Sequence, residues 1–355
     1  MTNTVSKYFL AANSCQGFVS QFENCYNPYD NWRCYIIKGG PGTGKSSFLK
    51  KTAAKAEKEN EPYVLCPCSS DPDSLDAVIF PNKKTVIMDG TAPHTVNPKY
   101  PGVCEEILNF GEFWNTESLK NNREIINLTD KNKELHQSAS NCLLAAGKLL
   151  LDNYKIALSC TKKDEANLFA QKLIKKYIPS NSGKGYEQIR FISGITPKGI
   201  ISFPSAVTDF YENTVIIADK YGACGNIIMG KIRQYCLKNG YDIITLKNPF
   251  LPDEITDHIL IPELSLSFVT ESKNILFPSN ERRIHCRRFT YSKHLHEYQN
   301  RIKLNRKISE ALLNNATDLL SRAKAVHDQL ESHYIGAMDF DALNGFSNNF
   351  CKNLF

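Results

Sequence analysis

No stretch of this 355-residue chain approaches the ~18 to 20 consecutive apolar residues that a membrane-spanning helix needs. Its opening, "MTNTVSKYFLAANS", lacks the charged-then-apolar layout of a secretory signal, so a cytoplasmic location and no membrane partner are expected. Charge of one sign is also scarce. With 43 basic and 37 acidic residues the net charge is +6, too mild by itself to demand a nucleic acid or an acidic partner. Twelve cysteines are present, yet no C-x-x-C occurs, and the closest pair, Cys66 and Cys68, is too close for an ordinary zinc-ligand pair. "CRRFTYSKHLH" offers Cys286, His294 and His296 without a second cysteine pair. Reduced, buried thiols are the better account.

Glycine and proline are absent between Ser279 and Ile335, which favours a long helix or helix pair from about Ser292 to Tyr334. Apolar or small residues recur there at Ile302, Leu312, Ala316, Leu319, Ala323, Val326 and Leu330, with Asn305 and Ser309 as polar interruptions. An earlier series at Leu135, Ala139, Cys142, Ala146, Leu149 and Ile156 follows the same rhythm except at Asn153. Steps averaging 3.5 suit two long helices packed along their length.

What the chain does contain is a repeat. Shifted by about 182, "YFLAANSCQGFVS" from Tyr8 lies over "RFISGITPKGIIS" from Arg190. Shifted by about 181, "CYII" (Cys34 to Ile37) lies over "VIIA", and "LDAVIFP" over "TDHILIP", matching Asp76 to Asp257 and Pro81 to Pro262. An internal duplication is expected from this register.

The first copy carries a full G-x-x-x-x-G-K-[ST] in Gly39, Gly40, Pro41, Gly42, Thr43, Gly44, Lys45 and Ser46, followed by Ser47. An apolar "YII" precedes it. Phe48, Leu49, Thr52, Ala53 and Ala56 follow on one helical face. Phosphate oxygens need several backbone N–H groups pointing inward, a curvature that side chains obstruct, hence the glycines. A helix N-terminus adds partial positive charge. Lys45 would bridge the β- and γ-phosphates of ATP, and Ser46 would ligate Mg²⁺. "KTVIMDG" reads as a buried strand with Asp89 at its end, a second Mg²⁺ ligand. The next residue is Gly90, where many ATPases place a water-orienting glutamate. His94 is therefore a candidate catalytic residue beside Lys45 and Asp89, with Asp71, Asp73 and Lys99 as others on the same edge.

In the second copy, at a shift of 181, Lys45 becomes Asn226, Ser46 becomes Ile227, Asp89 becomes Thr270 and Gly42 becomes Ala223. Loss of the chemistry with retention of the apolar frame describes a degenerate site. "NERRIHCRRF" gathers Arg282, Arg283, Arg287 and Arg288: a solvated basic strand, a nucleic-acid contact, or an arginine finger toward the γ-phosphate.

The runs "KGGPGTGKSS", "CSSDPDSLD", "DGTAPH" and "NPKYPG" resemble a family of bacterial ATP-binding proteins with two tandem P-loop halves. The resemblance extends from "FLAANSCQGF" to "ESHYIGAMDF". It implies an α/β fold of two P-loop NTPase-like parallel-sheet halves and the binding of ATP, and no physiological role. The expected organisation is an active half at 1–180 with a helical extension at about 115–178, and a degenerate half at 185–355 with an extension at about 292–352. The expected function is Mg²⁺-dependent ATP hydrolysis driving a conformational switch. The alternatives are phosphoryl transfer to a small molecule and a nucleotide-gated module that binds nucleic acid or protein.

Overall fold

The computed structural model describes residues 6–93, 95–271, 275–277 and 283–355, so His94 and Arg282 lie outside the described residues. The first half runs β1 (Ser6–Lys7), a hairpin of β2 (Ala11–Ser14) and β3 (Gly17–Ser20), β4 (Arg33–Lys38), α1 (Lys45–Lys58), β5 (Val64–Pro67), β6 (Leu75–Phe80), β7 (Thr85–Asp89) and β8 (Glu105–Asn109). It ends with α2 (Thr116–Leu119), α3 (Arg123–Ser159) and α4 (Lys163–Tyr177). The second half runs β9 (Glu187–Arg190), a hairpin of β10 (Ser193–Thr196) and β11 (Gly199–Ser202), α5 (Ser205–Thr208), β12 (Asn213–Ala218), α6 (Ala223–Lys238), β13 (Ile243–Lys247), β14 (Thr256–Ile261), β15 (Leu266–Glu271) and β16 (Arg283–His285). It ends with α7 (Ser292–Glu297), α8 (Gln299–Ile335) and α9 (Phe340–Leu354).

Each half forms a six-stranded sheet, and the two sheets share one strand order: β8-β4-β7-β6-β5-β1 and β16-β12-β15-β14-β13-β9. The sheets are mostly parallel rather than wholly so. β6 and β14 run antiparallel to both neighbours. The reason is the length of the connections. Residues 81–84 and 262–265 join consecutive strands by tight turns, each with one residue at positive φ (Lys84, Ser265), and such turns cannot make a parallel crossover.

Side chains alternate across each strand, and that alternation builds the layers. Ile36, Ile79 and Met88 of the first sheet share a core with Ile216, Leu260 and Val269 of the second, so the sheets meet face to face. Their neighbours point the other way. Ile37, Val78 and Ile87 pack against Phe48 and Leu49 of α1 and Leu343 of α9. Ile217, Ile259 and Phe268 pack against Ile228 of α6 and Leu173 of α4. The short terminal helices are thus exchanged: α4 follows the first sheet but covers the second, and α9 does the reverse.

The long helices α3 and α8 pair antiparallel, with Asp152 against Arg301 at one end and Glu124 against His333 at the other. The polar interruptions meet each other. Asn305 donates to Asn153 at 3.0 Å and to Asp152 at 2.7 Å, and Asn153 donates to the Ile302 carbonyl. A buried polar layer of this kind fixes register between helices that apolar contacts alone would let slide. Among the described residues no helix is long and apolar enough to cross a membrane.

Candidate functional site

The Gly39–Ser47 segment leaves β4, turns through Gly42 (φ 68°) and Gly44 (φ 78°), and enters α1 at Lys45. Both angles lie where only glycine is at ease. α1 begins without a side-chain cap, so its first N–H groups remain free to meet an anion. Ser47 is exposed in that first turn. Thr43 is buried and donates to the Gly40 carbonyl at 2.9 Å, which closes the loop on itself.

Lys45 lies across the loop, donating to the carbonyls of Gly40 (2.6 Å) and Gly39 (3.2 Å). Its ammonium stands 3.6 Å from the Asp89 carboxylate, both side chains being about 12% exposed. Asp89 arrives there because β7 pairs in parallel directly beside β4, with Asp89 opposite Ile37. Thr91 donates both its N–H and its hydroxyl to the other Asp89 oxygen. Ser46 accepts the Leu75 N–H at 3.0 Å and keeps a further lone pair. Ser46 and Asp89 are hard oxygen donors and fit Mg²⁺, which takes one or two protein ligands beside phosphate and water. A supporting residue with no sequence signal is Lys38. Its ammonium reaches the carbonyls of Gly90 and Val96 and the side chain of Asn97, pinning the segment after Asp89, and burial pulls its pKa down.

The loop is covered by the end of α8 and the start of α9. Glu331 accepts the Gly42 N–H at 3.3 Å. His327 stands beside Glu331 and, with the Gly42 N–H, holds that carboxyl below the usual range. A Cβ at Gly42 would strike the Glu331 carbonyl oxygen at 2.7 Å, and one at Gly40 would meet Trp114 and Tyr334. Trp114 and Tyr334 also line a cavity of about 500 Å³ next to the loop, and the buried Trp114 indole N–H has no acceptor among the described residues.

The other acidic candidates serve structure. Asp71 accepts from Ser74 and the Asp73 N–H and faces Lys324 of α8 at 3.4 Å, while Asp73 pairs with Lys198 of the second half at 2.6 Å. Lys99 is an exposed partner of Glu23. None of these groups is placed on Lys45 or Asp89.

The second sheet refines the alignment of the two loops. β12 matches β4 at a shift of 180, since Ile217 opposes Thr270 as Ile37 opposes Asp89. The bodies of α1 and α6 keep that shift, with closing bonds from Glu59 to Lys55 and from Asn239 to Tyr235. The shift is the same on both sides of the loop, and α6 only begins two residues earlier in that register, at Ala223 where Lys45 opens α1. Lys45 therefore corresponds to Gly225 rather than Asn226, and Ser46 to Asn226 rather than Ile227. Asn226 does what Ser46 does: Ser46 accepts the N–H that opens β6, and Asn226 accepts the one that opens β14, Thr256 at 2.9 Å. At the positions equivalent to Lys45 and Asp89 stand Gly225 and Thr270, neither of them charged.

The N–H groups of the second loop are occupied by a side chain of the same loop. The buried Asp219 carboxylate accepts from Gly225 at 2.7 Å and Tyr221 at 3.1 Å. Burial pushes its pKa up, against the backbone N–H groups of Gly225, Tyr221, Cys224 and Gly222, which pull it down. Asp257 lies nearby, pushed up to about 7 by burial, with Asn248 opposing and Asp219 adding. The end of α3 seals this loop through Tyr154, whose hydroxyl accepts from Asn226, as the end of α8 seals the first.

The arginines face elsewhere. Arg283 is paired with Glu271, and Arg287 and Arg288 line a cavity with α4. They precede α7 and α8, whereas Glu331 lies near the far end of α8. At 1.5 Å per residue the 32 positions from Gln299 to Glu331 span about 48 Å, so these arginines are no finger for the first loop. Thr161-Lys162-Lys163-Asp164 fits the N/T-K-x-D spacing of guanine readers, but it opens α4 bridged to Thr290 at that same distant end. Among the described residues no three His, Cys, Asp or Glu side chains gather as a metal site, and all twelve cysteines are free thiols.

Comparison with protein-family models, with curated proteins and with solved structures found no match for the chain.

Proposed function

We propose that the chain binds one Mg·ATP at Gly39–Ser47, hydrolyses it slowly, and uses the occupied loop to reposition the α8–α9 arm. The observation that carries this reading is the Lys45 ammonium held between the loop carbonyls and Asp89, at the head of an uncapped helix. In this reading Lys45 leaves Gly39 and Gly40 for the phosphates, and the α1 N–H groups take the phosphate oxygens. Ser46 and Asp89 hold Mg²⁺, which when bound offsets the charge of the β- and γ-phosphates. ATP in place of GTP follows from the resemblance.

The triphosphate and Glu331 cannot share the Gly42 N–H. Binding therefore expels a carboxylate borne on α8, a helix of the other half, and the differential contact supplies the force for a shift. Gly90 follows Asp89 where many ATPases carry the water-orienting glutamate, which accounts for slow turnover. The test is ATPase activity without added acceptor, together with α8 amide exchange with and without a non-hydrolysable ATP analogue. Turnover lost in Lys45→Ala and exchange rising at residues 324–335 support the reading.

The second reading, phosphoryl transfer to a small molecule, is favoured by the cavity beside Gly40 with its Trp114 N–H, unpartnered among the described residues. ADP release that requires an added acceptor would select it.

A further inference from the structure

We propose a second ligand site, for a small bisphosphorylated molecule, in the cavity between α4 and the β16 edge of the second sheet. The cavity holds about 570 Å³, within the range of small-molecule pockets. Its floor is apolar: Leu173, Val215 and Ile284 are buried there. Its rim is cationic, and among the described lining residues there is no Asp or Glu.

Two walls supply the charge. Lys172 and Lys176 stand one helical turn apart on α4 and so share a face. Arg287 and Arg288 come from the turn at Cys286–Phe289 that follows β16. Among the described residues, none of these four has a carboxylate partner, whereas the neighbouring Arg283 is neutralised by Glu271 at 3.0 Å. The Arg288 guanidinium is steadied over Phe169 at 5.1 Å, and the Lys176 ammonium lies 4.7 Å from the Tyr177 ring centroid.

Four unpaired cations in two pairs match two phosphate monoesters, each carrying about −1.5 to −2 at neutral pH. The apolar floor asks for a body between them that covers it. A nucleic-acid strand spreads single charges along a track, and this is a concavity.

The test is calorimetric titration of the full-length Lys45→Ala chain, without magnesium, with adenosine 3′,5′-bisphosphate and with fructose 1,6-bisphosphate. These conditions weaken binding at the glycine loop, and double variants at the rim report on the cavity alone. One equivalent of at least one probe is expected to bind, more tightly than inorganic pyrophosphate, which has no body to cover the floor. Lys172→Gln/Lys176→Gln and Arg287→Gln/Arg288→Gln are each expected to weaken it about 10-fold or more, with unchanged melting temperature, since all four side chains are exposed. Failure of both probes to bind would overturn the proposal, as would affinity unchanged in both double variants. A single-stranded RNA 20-mer that bound more tightly and was lost in the same variants would assign the surface to nucleic acid instead.

Discussion

Glu331 rests its carboxylate on the Gly42 N–H across 289 positions of sequence, tying the end of α8 to the glycine loop. If the loop binds a nucleotide as proposed, this contact makes the second half a competitor for it. Glu331→Ala is expected to raise Mg·ATP affinity about 5-fold or more, since a charged hydrogen bond no longer has to be displaced. Titration calorimetry measures it. Weaker binding in the variant would mean that Glu331 helps to hold the nucleotide.

The second loop carries its own anion. Asp219→Ala strips the acceptor from a buried nest of N–H groups and is expected to cost about 2 to 3 kcal/mol of stability in denaturant unfolding. A neutral result would show that these groups find water.

Asp257 sets a pH dependence. Its carboxyl is raised from 3.8 to about 7, so the folded chain holds a proton that the unfolded chain releases above about pH 4. Stability therefore falls as pH rises from about 4 to 7, by up to a few kcal/mol, and the penalty is fully present above 7. Asp257→Asn keeps an oxygen for Asn248 and is expected to flatten that fall. The comparison is melting temperature against pH for the two proteins. Parallel curves would contradict the assignment.

The Asn153–Asn305 layer predicts coupling. Asn305→Leu alone leaves the buried Asn153 oxygen without its donor and Asn153→Leu takes one of two acceptors from the Asn305 amide, each at about 1 to 3 kcal/mol, whereas the double variant is expected to recover part of that loss. Strict additivity in denaturant midpoints would deny the contact.

Much of this was legible in the sequence because it depends on local pattern. The glycine loop, α1, β7 with Asp89 at its end, and both long helices follow from residue spacing. The antiparallel β6 and β14 were hidden in short turns whose consequence is topological. The alignment of Lys45 with Gly225 is hidden because the shift of 181 that relates β6 and β7 to β14 and β15 falls to 180 in β4 and α1, a one-residue difference that only strand register reveals. Asn153 and Asn305 looked like flaws in two separate rhythms and are partners. Lys38 and Glu331 carry no motif; their roles exist only once distant segments meet.

The central claim is one nucleotide per chain, held at the first loop. Calorimetric titration of Mg·ATP into the wild type and into Lys45→Ala tests it most directly. The account predicts a stoichiometry of one, with affinity weakened about 10-fold or more by the substitution, because Lys45 makes a charge-assisted bond to phosphate. Two equivalents per wild-type chain, or undiminished affinity in Lys45→Ala, would contradict it.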